Sequence, residues 1–322
     1  MNKKEKLQKI VAGEKVNKLS ASFWRHFYKE EQDIDALAQA LVSFQDTYHW
    51  DFIKINPRTS YYSEDWGCAY QYNDIEKPKR ISSAIKYIDD WAAIEPLHVE
   101  EGVLGEHVKL VRKINYRVKD HVPIIQTLYL PMEIAAGMCL SRFDLKRHLK
   151  ENPALLEKAF ENITETFIAY AKECVHAGAD GFFLASKCAT KEYLSDEEFT
   201  AWHKRFDMRL LNSIRKEARF LILHLCGAMI RLDQMLDYPV DILHWDSTIR
   251  DNPALKDVHN NTDKVIMGGV SNFDLSTLSP ERLQKTISQI SFPNRWILSA
   301  ECILEPTIRE QNLHTIAKLI RD

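Results

Sequence analysis

The sequence predicts an α/β protein folded as a single (β/α)8 TIM barrel. Short apolar runs of strand length alternate with longer segments of helical periodicity almost from end to end. Strands spaced by helices imply parallel β-α-β units, and about eight such units close into a barrel rather than an open sheet. No Pro/Gly-rich linker, low-complexity segment or internal repeat interrupts the pattern, so residues 1–322 read as one domain.

The expected strands follow in order. A weak first candidate lies near Lys18 to Trp24, behind an N-terminal extension. Clearer runs are Trp50 to Ile55, Val122 to Tyr129, Asp180 to Leu184, Arg219 to Cys226, Val240 to Trp245, Lys264 to Gly268 and Arg295 to Cys302. Their β-branched and aromatic content suits strands buried on both faces. Between them, Asn152-Pro153 reads as a cap followed by a first-turn proline. Leu156, Ala159, Ile163, Phe167, Tyr170 and Cys174 then recur at helical spacing until Gly178. Ser195 and Glu198 form a capping-box pair, and Ser279-Pro280 opens another helix. The stretch from Tyr61 to about Asp120 is too long for a simple connection, so it is expected to make an excursion over the barrel mouth.

Composition narrows the function. A chain of 322 residues, 45% hydrophobic and 28% charged, can bury a large core. Its net charge of -3, with both signs mixed, offers no basic face for nucleic acid. The basic start, Met1 to Lys6, lacks the apolar segment of a signal or anchor, and no run is long enough to cross a bilayer. Six cysteines without a secretion signal read as reduced thiols, so a cytoplasmic protein is expected.

The chemistry concentrates at His224-Leu225-Cys226 and Cys302, each closing an apolar strand. Residues i and i+2 of a strand share a face, so the His224 imidazole and the Cys226 thiol project side by side. A histidine and two cysteines supply three zinc ligands and leave a fourth position open, as catalytic zinc sites do. All three fall at C-terminal strand ends, where barrel enzymes place their chemistry. Taken singly, each is equally a buried core residue.

Other polar residues end strands as well. Asp246 shares a strand face with His244 and reads either as a substrate or zinc-histidine support or as a helix cap. Glu301 adjoins Cys302 and either ligates zinc or points outward. Tyr129, Lys187, Asn272 and Asn56 lie near strand ends, where packing or loop roles suffice. Gly268-Gly269 fits a tight turn as well as a phosphate cradle, and no dinucleotide or phosphate-loop signature occurs.

Several of these segments together resemble a family. Leu223-His224-Leu225-Cys226-Gly227, Val240 to Asp246 and Val265 to Val270 are similar to the second half of the uroporphyrinogen decarboxylase superfamily. Val122-Pro123-Ile124-Ile125 through Pro131 looks like its third strand. The resemblance covers nearly the whole chain and implies the same barrel.

One branch of that superfamily decarboxylates uroporphyrinogen without metal. The other comprises zinc methyltransferases that move a methyl group between a corrinoid protein and a thiol such as coenzyme M. Ser22-Phe23-Trp24-Arg25-His26-Phe27 replaces the decarboxylase motif Arg-Gln-Ala-Gly-Arg-Tyr, Asn56 stands where that branch has an essential aspartate, and Glu301-Cys302-Ile303 replaces its Gly-His-Gly. His224, Cys226 and Cys302 match the methyltransferase pattern.

The resemblance therefore implies a zinc-dependent methyltransferase with Zn2+ on those three residues. A small thiol would be its substrate and a corrinoid on a separate partner protein a possible methyl source. Asp246, Glu301, Asn56 and Tyr129 become candidates for catalysis or substrate orientation, and no general base is assigned. The alternatives are a true uroporphyrinogen decarboxylase and a non-catalytic binding protein on a degenerate barrel.

Overall fold

The structure is a computed structural model that describes residues 1–290, 292 and 294–321. Its strands are β1 (Ile53–Ile55), β2 (Ala69–Gln71), β3 (Lys79–Ser82), β4 (Ile124–Tyr129), β5 (Gly181–Ser186), β6 (Phe220–Leu225), β7 (Ile242–Trp245), β8 (Val265–Val270) and β9 (Trp296–Ala300). Seven of them pair in the order β1-β4-β5-β6-β7-β8-β9, all parallel, while β2 and β3 form a separate antiparallel hairpin. The strands are apolar on both faces because helices cover one and the barrel interior the other. In β6, Phe220, Leu221, Ile222, Leu223 and Leu225 are at most 1% exposed, and burying each contributes roughly 1.5–3 kcal/mol.

The expected eighth strand contracts to a single parallel bridge, Ala21 to Leu298. That segment still joins the two edges of the sheet. Leu298 N donates to Ser20 O (2.8 Å) and Ser22 N to Leu298 O (3.0 Å); on the other side Asp51 N donates to Ala21 O (3.0 Å) and Ser22 Oγ to Phe52 O (2.9 Å). The strand is short because side chains take over its bonding. The buried Asp51 carboxylate accepts from Ala21 N, Ser20 Oγ and Lys6 Nζ at 2.8–2.9 Å.

The N-terminal extension is helix α1 (Lys3–Val11), opened by a capping box between Asn2 and Glu5. Lys4 pairs with Asp180 and Lys6 with Asp51, both just before strands, so α1 covers the N-terminal end of the barrel. Its Leu7 and Ile10 join Phe52, Ile125, Phe183, Phe220, Ile222, Ile242, Val265, Met267 and Ile297 in the interior.

Around the sheet, the helices Ile34–Tyr48, Gly102–Val118, Pro153–His176 and Arg205–Ile214 build the main core. The helix from Pro153 begins as expected, with the Asn152 side chain accepting from Leu155 N, and Gly178 follows its end at φ +111°. A Cβ on Gly178 would lie 2.2 Å from Asn115 Nδ2, so the turn requires glycine for space as well as for backbone.

The excursion is shorter than the expected Tyr61–Asp120. Residues 61–101 hold a one-turn helix, the β2–β3 hairpin and a 3-10 turn, whereas Gly102–Val118 belongs to the barrel layer. That helix buries Leu104, Val108, Val111, Ile114 and Val118 at helical spacing, a stripe that needs a sheet beneath it. No helix among the described residues is long and apolar enough to cross a membrane.

Candidate metal centre

Strand register brings the polar residues of the barrel interior to its C-terminal end. Phe220, Ile222 and His224 of β6 face inward in turn, and Cys226 follows on the same face. Phe52, Lys54 and Asn56 do the same along β1, as do Ile125, Thr127 and Tyr129 on β4.

Cys302 arrives differently. Ile297 faces the interior while Leu298 and Ala300 pack against the outer helices. Unbroken alternation would therefore turn Glu301 inward and Cys302 outward. Instead β9 ends at Ala300, and residues 301–303 bend. His244, inward on β7, donates from Nε2 to Ala300 O at 2.8 Å and fixes the start of that bend. The bend sends the Glu301 carboxylate to Asn272 N, 2.8 and 2.9 Å from its two oxygens, and the Cys302 thiol to His224.

His224 Nε2 and Cys302 Sγ lie 3.5 Å apart. One ligand atom from each of His224, Cys226 and Cys302 falls within 4.8 Å of the others. A tetrahedral ion with bonds of about 2.3 Å to sulfur and about 2.05 Å to nitrogen holds such atoms about 3.5 Å apart. The donor set, soft thiolates with an imidazole, also suits zinc. His224 Nδ1 is buried without a partner.

The electrostatics favour one thiolate already. Hydrogen bonds from Cys302 and His224 pull the Cys226 thiol down to about 4. Giving its proton toward Cys226, together with burial, holds the Cys302 thiol well above its usual value. Burial, with the neighbouring His224 adding to it, keeps His244 neutral by pushing it far below the usual imidazole range. The two rings lie 4.7 Å apart.

These donors open into a cavity of about 140 Å³ lined also by Trp24, His26, Lys54, Asn56, Tyr129 and Lys187. Lys54 Nζ donates to Asn56 Oδ1 and sits 4.6 Å from the centre of the Phe183 ring and 5.5 Å from that of Trp24. Complete burial lowers it to about 7, against the pull of Cys302. Asn56 Nδ2 has no partner. Burial works against the Lys187 charge, but Tyr129, Cys226, Glu133 and Cys302 outweigh it and raise its pKa. His26 and Ile303 also line a wider vestibule of about 570 Å³, where Arg25, Lys29 and the hairpin turn Asp74 to Lys77 meet.

Of the residues singled out in the sequence, the cavity thus gathers His224, Cys226, Cys302, Asn56, Tyr129 and Lys187. Asp246 stands apart, its carboxylate accepting from Thr248 N (2.8 Å) and Thr248 Oγ1 (2.6 Å). Glu301 lines a neighbouring surface cavity instead. Asn272 caps the bend by donating to Ile303 O (2.9 Å). Gly268 and Gly269, at φ +147° and +127°, are the backbone of β8 itself. Sequence reasoning missed Lys54 and the part played by His244. The signal for Lys54 was present: a lysine at an inward register between Phe52 and Asn56.

The chain as a whole is similar to known proteins. Methylcobamide:CoM methyltransferase MtbA of Methanosarcina acetivorans is 20% identical over 214 residues, which cover 65% of this chain and 60% of that protein. Methylcobamide:CoM methyltransferase MtaA of Methanosarcina barkeri is 28% identical over 168 residues, covering 52% of this chain and 47% of its own. The matches thus span 60% or less of these relatives' length. In structure, a methyltransferase from Methanosarcina mazei superposes with a TM-score of 0.82 at 19% identity, covering 100% of this chain and 98% of that one. A B12-independent methionine synthase from Shewanella sp. W3-18-1 follows the same fold with a TM-score of 0.58 at 14% identity, covering 94% and 96%. The family model for uroporphyrinogen decarboxylase matches residues 12–322, all of the barrel described above, and the chain belongs to the uroporphyrinogen decarboxylase (URO-D) family.

Proposed function

We propose that this chain is a zinc-dependent methyltransferase that readies a small thiol to receive a methyl group, with a corrinoid on a separate protein as donor. The observation that carries the reading is the 3.5 Å approach of His224 Nε2 to Cys302 Sγ beside Cys226, at the floor of an open cavity. The curated relatives, named as methylcobamide:CoM methyltransferases, support it. Zinc held by His224, Cys226 and Cys302 would lower the pKa of a thiol at its fourth position, ordinarily about 8.5, toward neutrality.

The chain's own residues do the rest. Cys226 and Cys302, as thiolates, would balance the charge of such an ion and would keep an incoming sulfur electron-rich. Phe183 and Trp24 wall the site with aromatic surface and limit water. Asn56 Nδ2 and the Lys187 ammonium face the cavity as free donors for the remainder of the substrate. Lys54 Nζ, near neutrality in its pKa, is positioned to take up the proton that the thiol gives up. The inner cavity, about 140 Å³, suits a small thiol, and the wider vestibule of about 570 Å³ that shares His26 and Ile303 with it leaves room for a bulkier methyl donor to approach.

The test combines metal analysis with turnover. Purified protein should carry about one zinc per chain. It should methylate thiols from a panel using methylcobalamin, lose that activity on chelation and regain it with zinc. Decarboxylation of uroporphyrinogen by metal-free protein would falsify the reading in favour of the other branch of the family.

A further inference from the structure

Behind the cavity wall runs a chain of buried polar groups with no part in the site so far. Tyr238 Oη donates to Asp207 Oδ2 (2.8 Å), which lies 2.5 Å from His203 Nδ1. His203 Nε2 is 3.0 Å from Ser186 Oγ, and Ser186 Oγ donates to Glu133 Oε1 at 3.0 Å. The same Glu133 oxygen accepts Lys187 N (2.5 Å) and Cys188 N. His203 and Asp207 are 0% exposed, and His203 sits on a π-helical turn, Phe199–Lys204, a local widening that often marks functional positions.

The hydrogen-bond pattern favours a charged His203. The Ser186 hydroxyl has one proton, and it goes to Glu133; its oxygen also accepts Ala189 N (3.3 Å). The contact with His203 Nε2 is then a hydrogen bond only if Nε2 donates. Nδ1 donates too when Asp207 is ionised, because a carboxylate can only accept, here from Nδ1 and from Tyr238 Oη. With both ring nitrogens donating, the geometry favours a charged His203 between two carboxylates, in the direction in which Asp207 and Glu133 shift it.

The surroundings agree. Burial opposes the charge, but Asp207 and Glu133 overcome it, while Arg231 works against them. Arg231 is itself occupied by Asp196 and Leu194 O, and Phe199 stacks on the imidazole at 5.1 Å. The order Ser186, His203, Asp207 imitates a hydrolase triad. Ser186 is only 1% exposed and gives its proton to Glu133, so it is not a nucleophile.

We propose that His203 is a positioning residue: it locks Ser186 and Glu133, Glu133 clamps the Ser186–Cys188 turn, and that turn holds the Lys187 ammonium against the cavity beside Cys226. The part concerning turnover rests on the methyltransferase reading; the part concerning the turn does not.

Two measurements test it. Hydrogen exchange on His203→Gln should speed the Lys187 and Cys188 amides at least about tenfold and leave Leu223 in β6 unchanged. Ser186→Ala, which cuts the link without touching the buried charge, should do the same and serves if His203→Gln does not fold. Methyl transfer by His203→Gln, Lys187→Met and the double variant should show non-additive losses in kcat/KM. The double variant should be no worse than about twofold below Lys187→Met. Unchanged exchange in both turn variants, or losses that multiply, overturns the proposal. A wild type without methyl transfer removes the reading of the reaction and leaves exchange to decide the role of His203.

Discussion

Replacing Lys54 with methionine should stabilise the metal-free protein at neutral pH while damaging its function. Lys54 is fully enclosed, and burial brings its pKa from 10.5 down to about 7. Above the unfolded value both states are neutral and nothing is lost. Between 10.5 and 7 the unfolded chain holds the proton and the native state does not, so stability falls as pH falls. Below 7 the full penalty is present, about 3.5 pH units at 1.36 kcal/mol each, or about 5 kcal/mol. Methionine has similar length and no charge. It forfeits the hydrogen bond to Asn56 Oδ1, which costs about 1–3 kcal/mol once that oxygen is left unpaired. Lys54→Met should therefore exceed wild type by about 2–4 kcal/mol at pH 7. The advantage should shrink by about 4 kcal/mol on going to pH 10. Urea denaturation of both proteins, stripped of metal and measured across that range, reads the difference directly. Parallel stability profiles would show that Lys54 keeps its ordinary pKa in the folded protein and would refute the argument. The same variant should lose at least about tenfold in thiol methylation, a trade common where function requires a costly buried ionisable group.

Further outcomes follow from the same geometry. Cys302→Ser should weaken zinc binding by about 100-fold or more, since a structural zinc gains roughly 10–16 kcal/mol spread over its ligands; a competing chelator titration measures it. Glu301→Gln should leave zinc content unchanged, because its carboxylate serves Asn272 N, and should cost about 1 kcal/mol in thermal or urea unfolding. His107, fully buried, is lowered to about 4 by burial, so it stays neutral in the native state. Its contribution is complete above about pH 6.5 and is lost as pH falls toward 4. Wild type should lose about 3 kcal/mol more than His107→Gln between those pH values by urea unfolding, and equal losses would contradict the burial argument.

The fold was legible because parallel strands buried on both faces are written as continuous apolar runs. The seven clear runs all appear as barrel strands, within a few residues of their expected limits. The weak run near Lys18 to Trp24 fails as a strand because Asp51 bonds Ser20 and Ala21 through its side chain, a contact between residues about thirty positions apart that no local pattern records. The helix Gly102–Val118 was hidden in the excursion because four short elements precede it, none with a periodicity long enough to read. The three soft donors were readable from type and strand position. Which of Glu301 and Cys302 turned inward was not readable, since it depends on His244 seizing Ala300 O across the barrel. Asp246 looked inward by parity, but its strand stops at Trp245 and Thr248 captures the carboxylate.

The positions of the donors along the sheet tie assembly to activity. His224 lies on β6 and Cys226 just beyond its end, whereas Cys302 follows β9, the strand that meets residues 20–22 to finish the circle. An ion gripping all three would act as a strut across the second half of the barrel, from β6 to β9. No half-built chain could hold it, because its third grip arrives only with the final strand. Reactivity would thus switch on only once β9 has docked beside β8, and the ion in turn would anchor the strand on which the thin seam with residues 20–22 depends.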